Sequence, residues 1–116
     1  MLNRTYMMDS DFIISLHGSF DADTVSIMKD EIKNYSKLNN HIIFDLEGVN
    51  FIDSSGIGAI VYLYKRMIVK GYTVSVSGLT QQPLELFNLL LLNKTINCYE
   101  NMEDYWSISK EIKIAS

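Results

Sequence analysis

His41-Ile42-Ile43-Phe44-Asp45-Leu46, running on through Glu47-Gly48-Val49-Asn50-Phe51-Ile52 into Asp53-Ser54-Ser55-Gly56-Ile57-Gly58, decides the fold. Ile42, Ile43 and Phe44 are consecutive and apolar. A parallel strand covered by helices on both faces reads this way. Beyond Ile52 the apolar period changes. Ile57, Ile60, Val61, Tyr64, Met67 and Ile68 recur at helical spacing and predict a helix over 54–69 that stops at Gly71. At 3.6 residues per turn these six gather into an arc of about 120°, a core-facing stripe. Ala59, Tyr62 and Arg66 fall on the opposite side, which is expected to face water.

Working outward, residues 2–8 and 12–18 read as two short strands joined by Asp9-Ser10-Asp11, which is turn chemistry and predicts a hairpin. After the loop Gly18-Ser19-Phe20-Asp21, the stripe Val25, Met28, Ile32 and Tyr35 predicts one helix over 23–37, with Asp21 or Asp23 as its N-cap. On the other side of the quoted stretch, residues 72–77 alternate as a strand. Pro83 suits the first turn of a third helix, where its missing N–H costs nothing. Residues 95–99 suggest a short last strand. Asn101 is placed to cap a fourth helix, with Glu103 and Asp104 in its first turn and Lys110 and Lys113 near its end, matching the helix dipole. The order ββαβαβα(β)α predicts a single α/β domain over residues 1–116: a mixed, mostly parallel sheet of 4–5 strands flanked by about four helices.

Composition narrows the function. The 116 residues carry 10 Lys and Arg against 14 Asp and Glu, a net charge of −4, with 47% hydrophobic residues. So acidic a chain is a poor binder of nucleic acid, which needs a surplus of cations. It is equally unsuited to an anionic membrane surface. The charge is uneven. Residues 1–58 hold 9 acids and 4 bases, and residues 59–116 hold 5 acids and 6 bases. The single cysteine, Cys98, permits no internal disulfide and reads as a small buried apolar residue. No basic segment followed by an apolar run marks a signal peptide, and the longest apolar run is far below the roughly 20 residues of a membrane span. A cytoplasmic protein without membrane insertion is the expectation.

The loop Asp53-Ser54-Ser55-Gly56-Ile57-Gly58 carries the candidate chemistry. Asp53 is placed as an N-cap, with Ser54 and Ser55 in the first helical turn. Two glycines there cost about 1 kcal/mol each relative to alanine. The pattern supports two readings: a cap and nothing more, or a phosphate acceptor at Ser54 or Ser55, since a helix N-terminus tolerates the added negative charge. Other chemistry is poorly served. No G-x-S-x-G elbow is present, and the spacing of Gly56 and Gly58 lacks the lysine of a phosphate-binding loop. One Cys and two scattered histidines offer no metal site, and no cofactor is expected. His17 and His41 read as strand-end residues with local hydrogen bonds.

Three blocks together resemble a known family. Leu16-His17-Gly18-Ser19-Phe20-Asp21, the stretch from Ile42 to Gly58, and Val74-Ser75-Val76-Ser77-Gly78-Leu79 with residues 84–96 are similar to the STAS domain, specifically the bacterial anti-sigma factor antagonists. The resemblance covers nearly the whole chain. It implies a protein with no catalytic activity of its own. It also implies phosphorylation of Ser54, the serine directly after the motif aspartate, with Asp53, Ser55, Gly56 and Gly58 supporting the site. The implied partners are an anti-sigma factor serine kinase of the histidine-kinase-like ATPase fold and a phosphoserine phosphatase. The unphosphorylated form would bind the kinase and release its sigma factor. Two other readings of the resemblance are a STAS subunit of a lipid-transport ABC complex and a component of a stressosome-like scaffold.

The expected docking surface combines Ser54, Ala59, Tyr62 and Arg66 with Asp21 and Asp23. Tyr and Arg are enriched at interface hot spots. Because the acidic half of the chain carries this surface, a partner with a basic face and a salt-sensitive complex are expected. One departure from the family stands out. Leu90-Leu91 replaces the usual small polar residue and glycine at the end of the third helix, within the run Leu89-Leu90-Leu91-Leu92. This run either buries a last turn or forms an apolar patch for a partner or a weak homodimer.

Overall fold

The computed structural model describes the backbone of residues 2–115 and the side chains of residues 3–108. β1 (Leu2–Met8) and β2 (Asp11–Phe20) form an antiparallel hairpin closed by the pair Met8 and Asp11. β3 (Ile42–Ile52) runs parallel to β2, β4 (Val74–Ser77) parallel to β3, and β5 (Cys98–Tyr99) parallel to β4. The sheet order is therefore β1-β2-β3-β4-β5. The mixed, mostly parallel sheet is as predicted.

β3 runs six residues past the predicted strand, 41–46. Val49 and Ile52 are both buried, yet they lie three apart, out of phase for a strand. The register explains it. Gly18 pairs with Val49 and Ser19 with Phe51, leaving Asn50 as an extra residue on β3. This bulge returns Ile52 to the core face and carries the pairing on to Phe20.

The predicted helix 23–37 is two helices, α1 (Ala22–Ile27) and α2 (Lys29–Tyr35). They break at Met28, where φ −89 and ψ 7 leave the helical well. The break lets Met28 and Ile32 enter the core while Ile27 stays 82% exposed. Asp21 is the N-cap of α1 and accepts the Thr24 N–H at 3.1 Å. α3 (Ser54–Ile68) ends as predicted before Gly71, which has φ +86. α4 (Gln81–Leu89) holds Pro83 in its first turn, and α5 (Met102–Ala115) starts after Asn101, whose side chain accepts the Asp104 N–H at 2.7 Å. The side chains of Lys110 and Lys113 lie outside the described residues.

The two sheet faces are covered differently. Ile14, Leu16, Ile42, Phe44, Leu46, Val74 and Val76 form the main core with residues from α1 to α4, including Ile60, Leu63 and Phe87. On the other face Tyr105 of α5 packs over Ile13 and Ile43, and its hydroxyl donates to the buried carboxylate of Asp11. α5 is thereby tied to the hairpin.

Three residues, Ala59, Ile68 and Cys98, correct the sequence reading. Ala59, expected to face water, is buried at 7% exposure, whereas Ile68, expected in the stripe, is 46% exposed. α3 packs against α1 and α2 as well as the sheet, which turns its buried arc toward Ala59. Cys98, expected to be buried, is exposed because β5 is a two-residue edge strand. Of the two readings of the leucine run, the exposed patch holds for Leu89, Leu90 and Leu91, which are 78%, 49% and 59% exposed, while Leu92 is half-buried against the main core. Leu91 adopts φ 57, the left-handed conformation that a glycine would take without strain. His41 sits immediately before β3, as expected, but its Nδ1 accepts the N–H of Thr73, 32 residues away, at 3.0 Å, so its bond is not local, and His17 lies inside β2 rather than at its end.

Candidate functional site

The candidate site is the turn from the end of β3 into α3, and four sets of contacts fix it. First, Asp53 is the N-cap of α3. One carboxylate oxygen accepts the N–H groups of Ser55 at 2.9 Å and Gly56 at 3.1 Å. These are two of the helix N–H groups that have no intrahelical partner. Second, the other Asp53 oxygen accepts the N–H of Ala22 at 3.0 Å, at the start of α1. One carboxylate thus joins the two loops that the expected docking surface brought together through Ser54, Asp21 and Asp23. Third, Gly56 lies so close to the end of β2 that a Cβ there would stand 2.2 Å from the Phe20 carbonyl oxygen. Only glycine allows this approach. Fourth, Gln82 of α4 clamps the end of β3. Its Oε1 accepts the Ile52 N–H and its Nε2 donates to the Ile52 carbonyl, both at 2.9 Å. Gln82 was not legible from sequence. It stands 30 residues from Ile52, and no local pattern distinguishes it from any polar residue in a first helical turn.

On this fixed frame Ser54 occupies the first position of α3 and is exposed. No hydrogen bond holds its hydroxyl among the described residues. Ser55 is half-buried and turns toward the neighbouring groove. Gly58 is exposed, with open space where a Cβ would be, so its steric case differs from that of Gly56.

The amide donors hold the Asp53 carboxyl below the ordinary carboxylate range. The largest cause is the Gly56 N–H, opposed by desolvation and reinforced by the N–H groups of Ala22 and Ser55. Asp53 is therefore ionised at neutral pH. A carboxyl with a depressed folded-state pKa contributes stability that is fully present above its unfolded pKa and is lost as pH falls through the folded value. The urea midpoint of the wild type should exceed that of Asp53→Ala at neutral pH. The gap should shrink once the pH falls below the carboxyl's ordinary value of 3.8. A gap that stays constant into that range would show that Asp53 acts there without its charge.

Beside the serine, α1 and α2 leave an open groove of about 470 Å³ against α3. Val25, Ile32, Gly58, Ala59 and Tyr62 give it an apolar lining, and Lys29 and Lys33 rim it. Tyr62 is half-buried, with the exposed Arg66 guanidinium 5.3 Å from its ring centre. Ala59 lines the groove even though little of it is exposed. Of the six expected docking residues, Ala59 and Tyr62 meet in this groove and Arg66 lies over Tyr62. Asp21 is engaged as a cap, and Asp23 is exposed in the first turn of α1. The acidic character read from the sequence is mixed locally, because Lys29 and Lys33 stand beside the serine turn.

Among the described residues no cluster of three or more His, Cys, Asp or Glu could hold a metal, and no helix is long and apolar enough to cross a membrane.

Comparison with known proteins bears on the fold and the family. The chain is 30% identical over 92 residues to an anti-sigma F factor antagonist of Paenibacillus polymyxa, covering 77% of this chain and 78% of that one. Its fold is similar to the crystal structure of a putative anti-sigma factor antagonist from Thermotoga maritima, at a TM-score of 0.83 and 18% identity over 90% of this chain and 92% of the other. It is also similar to the Bacillus cell fate determinant SpoIIAA in its phosphorylated form, at a TM-score of 0.70 and 17% identity over 92% and 99% of the two chains. A family model described as the STAS domain matches residues 4–105, and the chain belongs to that family.

Proposed function

We propose that this protein is an anti-sigma factor antagonist controlled by phosphorylation of Ser54. In the unphosphorylated state it docks onto an anti-sigma factor that is also a serine kinase, and the sigma factor is released. Phosphorylation of Ser54 ends the docking, and a phosphoserine phosphatase restores it.

The observation that carries this reading is the contrast at the β3–α3 turn. Asp53 holds the N–H groups of Ala22, Ser55 and Gly56 and Gln82 holds both main-chain groups of Ile52, yet the Ser54 hydroxyl is exposed and without a hydrogen-bond partner among the described residues. A hydroxyl presented on a rigid turn suits attack on a nucleotide bound by another protein. The Ser54 oxygen forms the new bond to the γ-phosphorus, the bond from that phosphorus to the β–γ bridging oxygen breaks, and the nucleoside diphosphate leaves. The hydroxyl proton passes to a base of the kinase, since Asp53 is occupied by three backbone donors. The name of the Paenibacillus relative and the phosphorylated state of the Bacillus structure support the assignment.

The groove beside Ser54 supplies the docking surface. Its apolar lining offers burial, and Tyr62 with Arg66 offers an aromatic and a cationic contact at its edge.

The test is incubation with the host's anti-sigma kinase and ATP, followed by peptide mapping in a mass spectrometer. One phosphate on Ser54, absent from Ser54→Ala, is the expected result. A phosphate on another residue, or none, would overturn the assignment of the switch.

A further inference from the structure

We propose that the outer edge of β1 is the contact surface of a symmetric homodimer, in which two copies pair their β1 strands antiparallel about a two-fold axis through Thr5. β1 is the first strand in the sheet order, and among the described residues no strand lies beyond it. It spans 7 residues in unbroken register with β2 and carries no bulge. It contains no proline, and Arg4 is its only charge. Edge strands of this length are ordinarily guarded by several such devices.

The hairpin fixes which groups face outward. Its closing pair, Met8 and Asp11, flanks a two-residue turn, and such a pair exchanges both main-chain hydrogen bonds. Alternation then turns the main-chain groups of Arg4, Tyr6 and Met8 toward β2. Those of Asn3, Thr5 and Met7 point to the open edge.

An axis through Thr5 puts these outward groups in register with themselves. Thr5 meets Thr5 of the second copy, and Asn3 meets Met7 of the second copy. Each pair can exchange both of its main-chain bonds. Arg4 comes opposite Tyr6 of the second copy. Within one chain Arg4 already lies 5.0 Å from the centre of the Tyr6 ring, so the axis repeats a compatible pair across the interface. An axis through Arg4 would instead set two guanidinium groups against each other. Exposed apolar side chains flank the edge: Met7 is 50% exposed, and Ile27, which shares a shallow depression with Asn3, is 82% exposed. A two-fold isologous contact is the commonest closed form for soluble oligomers.

No β1 residue lines the Ser54 groove, so the dimer contact and the proposed switch can fail separately. The test is sedimentation equilibrium on the full chain, in parallel with Thr5→Pro and Thr5→Lys. The wild type should reach twice its 13.3 kDa with rising concentration. Thr5→Pro removes an N–H that points away from β2, and Thr5→Lys places two like charges face to face on the axis. Both should be monomers whose circular dichroism matches that of the wild type. Because Thr5 is exposed, the lysine variant keeps the test usable if the proline variant fails to fold. A wild type that stays monomeric at every concentration, or a dimer that survives the lysine substitution, would overturn the proposal. The surviving dimer would direct attention to Leu89, Leu90 and Leu91.

Discussion

Ser54→Asp should weaken binding to the anti-sigma partner by roughly a hundredfold, or about 3 kcal/mol, while Ser54→Ala binds like the wild type. Three observations set the direction. Ser54 is exposed beside the proposed docking groove, so a group added there meets the partner before it meets the core. The neighbouring Asp53 carboxyl is held ionised by backbone donors, chiefly the Gly56 N–H, so added negative charge falls beside existing negative charge. The turn is also braced from both sides by Ala22 and Gln82 and has little freedom to withdraw the new group. A phosphate brings about −1.5 to −2 charges where aspartate brings one, so the phosphorylated protein should lose more affinity than the variant does. The net charge of the chain would move from −4 to about −6. Isothermal titration of the partner with the three proteins gives the answer. Equal affinities for wild type and Ser54→Asp would remove the electrostatic switch while leaving Ser54 free to be a phosphorylation site.

The second large effect concerns two glycines two residues apart. Gly56→Ala should destabilise the protein by about 3 kcal/mol. Its Cβ would stand 2.2 Å from the Phe20 carbonyl oxygen and 2.7 Å from a side-chain carbon of Ile52. The first of these is backbone at the end of β2, in a strand paired along its length, and it cannot step aside as a flexible side chain could. Gly58→Ala should do the reverse. Nothing lies within 4 Å of the position its Cβ would take, and the residue is inside a helix, where alanine is preferred by about 0.5–1 kcal/mol. Urea unfolding of both variants separates the cases. Similar losses would mean that the helix start tolerates no side chain at either position, and the steric distinction would then be wrong.

Legibility in the sequence followed the range of the interactions involved. α3, β4 and the hairpin were readable because their signals are local: helical spacing from Ile57 to Met67, alternation in 72–77, and turn residues at Asp9 and Ser10. The Asp53 and Asn101 caps were readable for the same reason. What escaped depended on partners distant in the chain. The bulge at Asn50, which lengthens β3 to Ile52, exists only in the pairing with β2. The burial of Ala59 and exposure of Ile68 follow from α1 and α2 leaning on α3, which no periodicity within α3 can report. The break at Met28 divides what reads as one continuous stripe, although Met28 and Ile32 both enter the core. At the candidate site, the motif marked Asp53, Ser54 and Gly56, but not that Gln82 would clamp the same turn from 30 residues away. Cys98 was misplaced because residue type says nothing about lying on an edge strand.

The two-sided engagement of Asp53 bears on how far a local change can travel. Its oxygens hold the start of α3 on one side and Ala22 on the other, next to Asp21, which in turn caps α1. Segments 31 residues apart in sequence therefore share a single ionised group. Whatever pulls that carboxylate toward one of them loosens its hold on the other. Their free energies are coupled, and a double-mutant cycle across them would not close to zero. A partner touching both segments would accordingly sense them as one epitope. Chemistry confined to α3 could in this way be registered at α1, with no change in the fold between them.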